Sequence, residues 1–177
     1  MSSLLLNSIT LRRTIARMAH EIAERNPASQ EVAVVGIQAG GISLAKRLAV
    51  QLELIYGHPV PAGLLDAALH RDDLDQRTAP LLKPTSIPFD VNGRTIVLVD
   101  DVLFSGRTTR AALDALHDFG RPRRVQLAVL VDRGHREVPI RADFVGKNVP
   151  TSLNQRVEVS FAEDGGNDTV TLEEVKP

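Results

Sequence analysis

Residues 95–109, TIVLVDDVLFSGRTT, set two adjacent carboxylates, Asp100 and Asp101, at the end of an apolar run. A hydroxyl-rich loop, Ser105-Gly106-Arg107-Thr108-Thr109, follows at once, and a helical pattern follows the loop. A strand end, a tight loop and a helix start make an anion site, because free backbone N–H groups converge there and the helix dipole adds positive potential. Ser105, Thr108 and Thr109 add hydroxyl donors, and Gly106 lets the backbone approach the ligand closely. Asp100 and Asp101 would repel an anion in that spot. They make sense if they face something else on the ligand, either hydroxyls that donate to them or a divalent cation. A phosphorylated sugar offers both. Each half has an ordinary explanation alone, since an acidic pair can be a solvated turn and a threonine can cap a helix. The two together at this spacing favour the phosphorylated ligand. No G-x-x-x-x-G-K-[ST] occurs, which excludes a nucleotide P-loop. A phospho-acceptor receiver domain also uses strand-end carboxylates, but normally after its first strand and without a Ser-Gly-Arg-Thr loop.

The elements that position this motif are those of an α/β domain. Residues 9–26 carry Ile15, Met18, Ala19 and Ile22 at helical spacing, and the helix ends before Pro27. VAVVGI (32–37) is a continuous β-branched run, the mark of a strand buried on both faces. After the turn QAGG, residues 42–54 repeat the helical pattern, and 60–69 read as a second strand. Residues 70–94 are polar and hold three prolines and a glycine, which predicts a long loop, more often a functional lid than a passive connection. Then come a strand over 95–100, a helix over 108–119 and a strand over 124–131. QRVEVSF and TVTLEEV alternate around AEDGGND and predict a C-terminal β-hairpin. The expected fold is an open, mostly parallel sheet flanked by helices, with the ligand at the carboxyl ends of the strands. With 177 residues, the chain is expected to form a single domain over 1–177.

Composition narrows the function. The absence of cysteine excludes disulfides, thiolate catalysis and cysteine-ligated metal, and fits a cytoplasmic protein. MSSLLLNSIT has no basic n-region, and no apolar run approaches membrane-spanning length, so neither a signal peptide nor a membrane partner is expected. A net charge of −1 argues against a wholly basic nucleic-acid-binding surface but leaves room for a local basic patch.

VLVDDVLFSGRTT (97–109) resembles the phosphoribosyl-pyrophosphate (PRPP) signature of type I phosphoribosyltransferases. RMAHEIAERN (17–26), LHRDDL (69–74) and residues 120–152 resemble the bacterial PyrR family, pyrimidine-operon attenuation regulators that also act as uracil phosphoribosyltransferases. The resemblance implies that the 5′-phosphate of PRPP or UMP sits on Ser105, Gly106, Arg107, Thr108 and Thr109. It places Val102, Leu103 and Phe104 in the same PRPP-binding stretch and the ribose hydroxyls on Asp100 and Asp101. Mg²⁺ would be carried in with PRPP, held by ligand oxygens with little direct protein ligation. The loop 70–94 would be a flexible hood loop, with Arg71 and Arg77 as candidates for contacting the leaving pyrophosphate. The turn that cradles pyrophosphate usually reads Thr-Arg-Gly in this family, whereas this chain has Ala39-Gly40-Gly41. The missing hydroxyl and guanidinium predict a weaker transferase with nucleotide binding intact. Ala68 and His70 replace the usual Thr and Tyr, a smaller change.

Arg13, Arg17 and His20 share one helix face, and Arg133, His135, Arg136, Arg141 and Lys147 lie within fifteen residues. Together they would form a basic patch able to grip RNA phosphates. An aromatic content of 3% leaves few stacking platforms, so backbone and loop shape would carry recognition. The ordinary alternative is a set of exposed helix pairs, such as Arg17 with Glu21. The resemblance implies that Arg17, His20, Arg25, Arg136, Arg141 and Lys147 lie at or near an RNA-binding surface. It also implies that UMP or UTP promotes binding to a leader-mRNA hairpin, that PRPP opposes it, and that the chain forms a dimer or higher even oligomer. Two other functions stay open: an RNA-binding UMP sensor with little transferase activity, and a metabolic phosphoribosyltransferase with no RNA role.

Overall fold

The computed structural model describes residues 2–72 and 82–175. Its centre is a five-stranded sheet whose strands all run parallel. The apolar runs supply the middle strands β2 (Val32–Ile37), β4 (Thr95–Leu103) and β5 (Arg124–Asp132), and β2 is buried along its whole length. Short strands β3 (Ala62–Leu65) and β6 (Phe144–Asn148) form the edges, giving the order β3-β2-β4-β5-β6. Helix α1 (Ser8–Arg25) starts at Asn7, whose side chain accepts from the Thr10 N–H while the Thr10 hydroxyl accepts from the Asn7 N–H. This reciprocal cap explains why the helix begins at Ser8. Helices α2 (Gly41–Tyr56) and α3 (Arg107–Leu116) follow β2 and β4.

The two-residue period of β4 distributes its side chains between two cores. Val97 and Val99 pack with Leu44 and Leu48 of α2 and Met18 of α1. Ile96 and Leu98 pack with Ala111, Ala112 and Leu116 of α3. A second, antiparallel sheet joins β1 (Ser2–Leu6), β8 (Thr169–Glu174) and β7 (Gln155–Ser160) in the order β1-β8-β7. Its residues Leu6, Val157 and Val170 enter the α1–α2 core.

The expected hairpin is present as β7–β8, with β1 added to its far side. Strand β4 does not stop at Asp100 but runs through the acidic pair to Leu103, because its backbone keeps pairing with β5 as far as Asp132. The strand expected over 60–69 shortens to Ala62–Leu65, and a 3-10 turn occupies Ala68–His70. The helix expected over 108–119 starts one residue earlier and closes as a 3-10 turn at His117–Phe119. The middle of the hood, including Arg77, lies outside the described residues. Its return leg is anchored: Ser86 pairs with Leu64, Asp66 accepts from the Lys83 N–H at 2.8 Å, and the Asp66 N–H donates to Thr85 Oγ1 at 2.9 Å. Among the described residues, no helix is long and apolar enough to cross a membrane.

Candidate functional site

The alternation of β4 continues into the acidic pair. Asp100 follows Ile96 and Leu98 onto the α3 side, and Asp101 follows Val97 and Val99 toward α2. The Asp101 N–H donates to Asp100 Oδ1 at 2.9 Å, and the Val102 N–H donates to Asp101 Oδ1 at 2.7 Å. Asp100 is buried, and burial, reinforced by the charge of Asp101 beside it, pushes its carboxyl well above the ordinary carboxylate range. A buried carboxyl that resists ionisation is relieved by donors, such as sugar hydroxyls, or by a cation.

Asp100 lines a cleft of about 460 Å³ with Val102, Leu103, Phe104 and the loop Ser105–Thr109. The loop turns at Gly106, whose φ of +88° lies in the left-handed region that a side chain disfavours. Gly106 is the N-cap of α3 and offers no side-chain cap, the Arg107 N–H donates to Ser105 Oγ at 3.3 Å, and the remaining N–H groups of that first turn suit an anion. The side chains are arranged less simply than the motif suggests. Thr109 is buried, and Arg107 points out of the loop, donating to Glu137 Oε2 at 2.7 Å and to Asp72 Oδ2 at 2.6 Å. These two carboxylates hold the Arg107 guanidinium above its ordinary pKa. The loop therefore offers a phosphate its backbone and hydroxyls, with the Arg107 charge spent on ion pairs.

The glycine turn after β2 stands on the Asp101 side. A methyl group on Gly40 would fall 2.3 Å from Asp101 Oδ2, so the carboxylate leans directly over the turn. The Gln38–Ala39 peptide bond is cis, and Gln38 Nε2 donates to the Pro84 carbonyl at 2.7 Å, tying the turn to the return leg of the hood. On the outgoing leg, Arg71 Nη1 donates to Thr108 Oγ1 at 2.8 Å. The two legs of the hood are thus rooted on the glycine turn after β2 and on the start of α3. Asp72 falls in the LHRDDL stretch and Glu137 in the 120–152 block, and the tertiary fold brings both to Arg107 and Gln38 to the return leg of the hood.

The segment after β5 covers the phosphate loop. Glu137 and Val138 N–H groups both donate to the Ser105 carbonyl, and Arg136 Nη1 donates to the Phe104 carbonyl. This divides the candidate RNA residues. Arg17 and Arg25 of α1 reach β6, where Arg17 donates to the Gly146 carbonyl and Arg25 stands 3.5 Å from Asp143 and over the Phe144 ring. Lys147 projects from the same strand toward the Leu5 carbonyl, and His20 and Arg141 are exposed. Arg136 is turned inward and half-buried. The ordinary Arg17–Glu21 pair is also present, at 2.6 Å.

An ionic clamp with no sequence signature holds the C-terminal sheet on α2. Arg47 binds Glu163 and Asp168 and lies over the Phe161 ring at 4.8 Å, while the Ser43 hydroxyl donates to Asp164 at 2.9 Å. Among the described residues, no group of three His, Cys, Asp or Glu gathers to hold a metal.

Comparison with known proteins agrees with this geometry. The family described as phosphoribosyl transferase domain matches residues 5–164. A bifunctional protein PyrR from Roseiflexus sp. is 61% identical over 170 residues, covering 95% of this chain and 93% of that one. Proteins of the same name from Chloroflexus aurantiacus and Bacillus pumilus are 55% and 53% identical, covering 95% and 97% of this chain and 93% and 97% of theirs. Among solved structures, a hypoxanthine phosphoribosyltransferase of Trypanosoma cruzi superposes with a TM-score of 0.74 at 17% identity, covering 98% of this chain and 97% of that one. A hypoxanthine-guanine phosphoribosyltransferase of Bacillus anthracis gives 0.69 at 20% identity, with 85% of each chain covered. At these identities the two structures speak for the fold.

Proposed function

Because the chain belongs to the phosphoribosyltransferase family and, within it, to the bifunctional PyrR proteins, we propose that it is a uracil phosphoribosyltransferase that also regulates a pyrimidine operon. In the transfer, uracil N1 attacks C1′ of PRPP, the C1′–O bond to pyrophosphate breaks with its electron pair going to the pyrophosphate oxygen, and the N1 proton passes to the departing pyrophosphate as UMP forms. The transition state is oxocarbenium-like, so the protein contributes positioning, charge stabilisation and exclusion of water. The 5′-phosphate rests on the Ser105–Thr109 backbone, and the ribose hydroxyls donate to Asp100 and Asp101. Arg77 attends the pyrophosphate from the hood, the Ala39-Gly40-Gly41 turn cradles it, and Arg71, bonded to Thr108 Oγ1, serves the phosphate end of the cleft. Mg²⁺ would be held by the pyrophosphate and ribose oxygens of PRPP, with little direct ligation by Asp100 or Asp101. Mg²⁺ carried in on PRPP neutralises pyrophosphate charge when bound.

The observation that supports this reading most is the sharing of one cleft by the buried carboxyl of Asp100 and the N-terminus of α3, whose N-cap is a glycine. That pairing suits a ligand with hydroxyls at one end and phosphate at the other. In the regulatory role, UMP or UTP in the cleft promotes binding of a leader-mRNA hairpin to Arg17, His20, Arg25, Arg141 and Lys147, and PRPP opposes it. Transcription attenuation follows, in the cytoplasm, from a single-domain chain assembled as a dimer or higher even oligomer. A steady-state assay with uracil and PRPP, run beside an RNA titration with and without UMP at two salt concentrations, tests both halves. Turnover together with UMP-dependent, salt-sensitive RNA binding is expected. RNA affinity indifferent to both UMP and salt would leave a metabolic transferase.

A second reading has a specific observation behind it. Ala39 and Gly40 put no hydroxyl or guanidinium on the pyrophosphate turn, and Asp101 leans over it. A chain acting mainly as an RNA-binding UMP sensor would keep UMP affinity and show slow turnover in the same assay.

A further inference from the structure

The hood leaves the sheet at the end of β3 and returns beside it, and one carboxylate joins the two legs. Asp66 Oδ1 accepts from the Ala68 N–H at 3.0 Å on the outgoing leg, and Asp66 Oδ2 accepts from the Lys83 N–H at 2.8 Å on the return leg. The first bond is the ordinary turn of an aspartate onto the backbone two residues on. The second spans 17 positions and has no local cause. The Asp66 N–H donates to Thr85 Oγ1 at 2.9 Å, and Leu64 and Ser86 exchange two backbone bonds of 2.9 Å, so the return leg is held in register with the carboxylate. Each oxygen of Asp66 serves one leg, and its negative charge strengthens both bonds.

From Asp66 the bonds run on toward both ends of the cleft. On the return leg, the Pro84 carbonyl accepts from Gln38 Nε2 at 2.7 Å. Gln38 itself donates its N–H to the Leu65 carbonyl at 2.9 Å and immediately precedes the Ala39-Gly40-Gly41 turn. On the outgoing leg, Ala68 opens the 3-10 turn Ala68–His70, the Arg71 N–H closes it on the Ala68 carbonyl, and Arg71 Nη1 reaches Thr108 Oγ1 at 2.8 Å. A continuous path of peptide units and hydrogen bonds therefore joins the glycine turn to the start of α3, and Asp66 stands at its middle. PRPP carries pyrophosphate and a 5′-phosphate on two sides of one ribose, so it is the ligand that loads both ends of this path. UMP has the 5′-phosphate alone and loads one end.

We propose that Asp66 is a positioning residue for PRPP. By tying the two legs of the hood together, it holds Gln38 at the glycine turn and Arg71 at Thr108 in the register that one PRPP molecule spans. Asp66 touches no reacting atom in this role. It raises the affinity for PRPP and leaves that for UMP unchanged, although both ligands put a phosphate in the same loop. The proposal rests on the transferase reading given above and adds the residue that fits the cleft to the longer ligand.

The test measures binding of PRPP with Mg²⁺, and of UMP, by calorimetry on the wild-type protein, Asp66→Asn and Gln38→Met. Amide hydrogen exchange on the wild-type protein runs alongside. Asp66→Asn keeps the size of the side chain but only one accepting oxygen, so it can serve one leg at a time. It is expected to weaken PRPP about tenfold, the worth of one hydrogen bond to a charged group. UMP affinity should stay within about twofold, the scatter of sites that do not interact. Gln38→Met cuts the path between Pro84 and the glycine turn and is expected to show the same selectivity. Because both substitutions cut one path, the double variant should lose less than the product of the two. In the wild-type protein PRPP is expected to slow exchange at the Lys83 amide, and UMP to leave it unchanged. An equal loss of PRPP and UMP affinity in Asp66→Asn would assign the residue to general stability and overturn the proposal. PRPP affinity unmoved in both variants also overturns it, with the transferase reading intact. A wild-type protein that binds UMP and no PRPP refutes the transferase reading and the proposal with it. Should Asp66→Asn not fold, Gln38→Met carries the same comparison.

Discussion

Gly40 lies directly beneath the Asp101 carboxylate: a methyl group there would stand 2.3 Å from Oδ2 and 2.4 Å from Cγ. Asp101 is a short side chain whose other oxygen is held by the Val102 N–H at 2.7 Å, so it has one way to yield, by swinging toward the ribose position. Gly40→Ala is expected to fold normally and to lose about a hundredfold in kcat/KM, the scale of a displaced charge-stabilising group. Gly41→Ala is the contrasting variant, because its methyl group would meet the Val99 carbonyl, a backbone atom of β4, at 2.2 Å. It is expected to lower stability by about 1–3 kcal/mol or more through overpacking. Thermal melts and steady-state kinetics on the two variants separate the effects. A Gly40→Ala protein with full activity would show that Asp101 is not needed where it stands.

The buried Asp100 predicts a site that costs stability. Its carboxyl titrates well above the ordinary range because of burial first and the neighbouring Asp101 second. Between the unfolded value of about 3.9 and the raised folded value, the folded chain holds more protons than the unfolded one. Stability contributed by this group therefore falls as pH rises through that window. Asp100→Asn removes the charge at similar volume, so its melting temperature should exceed that of the wild-type protein at pH 7–8, with the gap closing toward about pH 4. Transferase activity should fall in the same variant. Melting curves across pH, with no ligand present, check the sign.

Local pattern explains why the centre of the fold and the motif were legible and their connections were not. β2 and β4 are continuous apolar runs that only a sheet buried on both faces accommodates, and Asp100-Asp101 with Ser105–Thr109 is a contiguous motif. β1 and β6 escaped because neither alternates clearly. SSLLL is mostly exposed and pairs with β8 at the far end of the chain, while FVGKN carries a glycine and a lysine in an edge position. The local pattern ends the strand at Asp100, between the two carboxylates. The pairing of β4 with β5 through Asp132 extends the strand and sends the two side chains to opposite faces. The bond of Arg136 to the Phe104 carbonyl, 32 positions away, was not legible because it depends on how the β5–β6 connection folds back.

The Arg47 clamp predicts an acid-labile attachment of the C-terminal sheet. Arg47 binds Glu163 and Asp168, and its hydrogen bonds hold both carboxyls below their ordinary values. Groups depressed in this way stabilise the fold above their unfolded pKa of about 4 and lose that contribution as pH falls through the lower folded values. Arg47→Met is expected to cost about 1–3 kcal/mol at pH 7, between an exposed and a buried ion pair, with Arg47→Lys restoring part of it. The gap to the wild-type protein should close below about pH 4. Denaturant titrations at pH 7 and pH 3.5 measure it, and an equal gap at both would assign the loss to the stacking on Phe161 instead.

Arg71 and Thr108 predict a coupled pair at the phosphate end of the cleft. Arg71 Nη1 donates to Thr108 Oγ1 at 2.8 Å, leaving the hydroxyl proton free to point at a phosphate. A hydroxyl both accepts and donates, so one threonine can link the hood arginine to the ligand without releasing either. Binding of PRPP then orders the root of the hood through Thr108, and uracil, which reaches neither group, should be indifferent to both. Arg71→Gln and Thr108→Val are each expected to raise KM for PRPP about tenfold, the worth of one charge-assisted hydrogen bond, with KM for uracil unchanged. Because each substitution breaks the same link, the double variant should fall well short of the roughly hundredfold product of independent effects. A full double-mutant cycle in KM for PRPP decides it: strict additivity would mean that Arg71 reaches the ligand by its own route, and a parallel rise in KM for uracil would mean that the cleft as a whole had shifted.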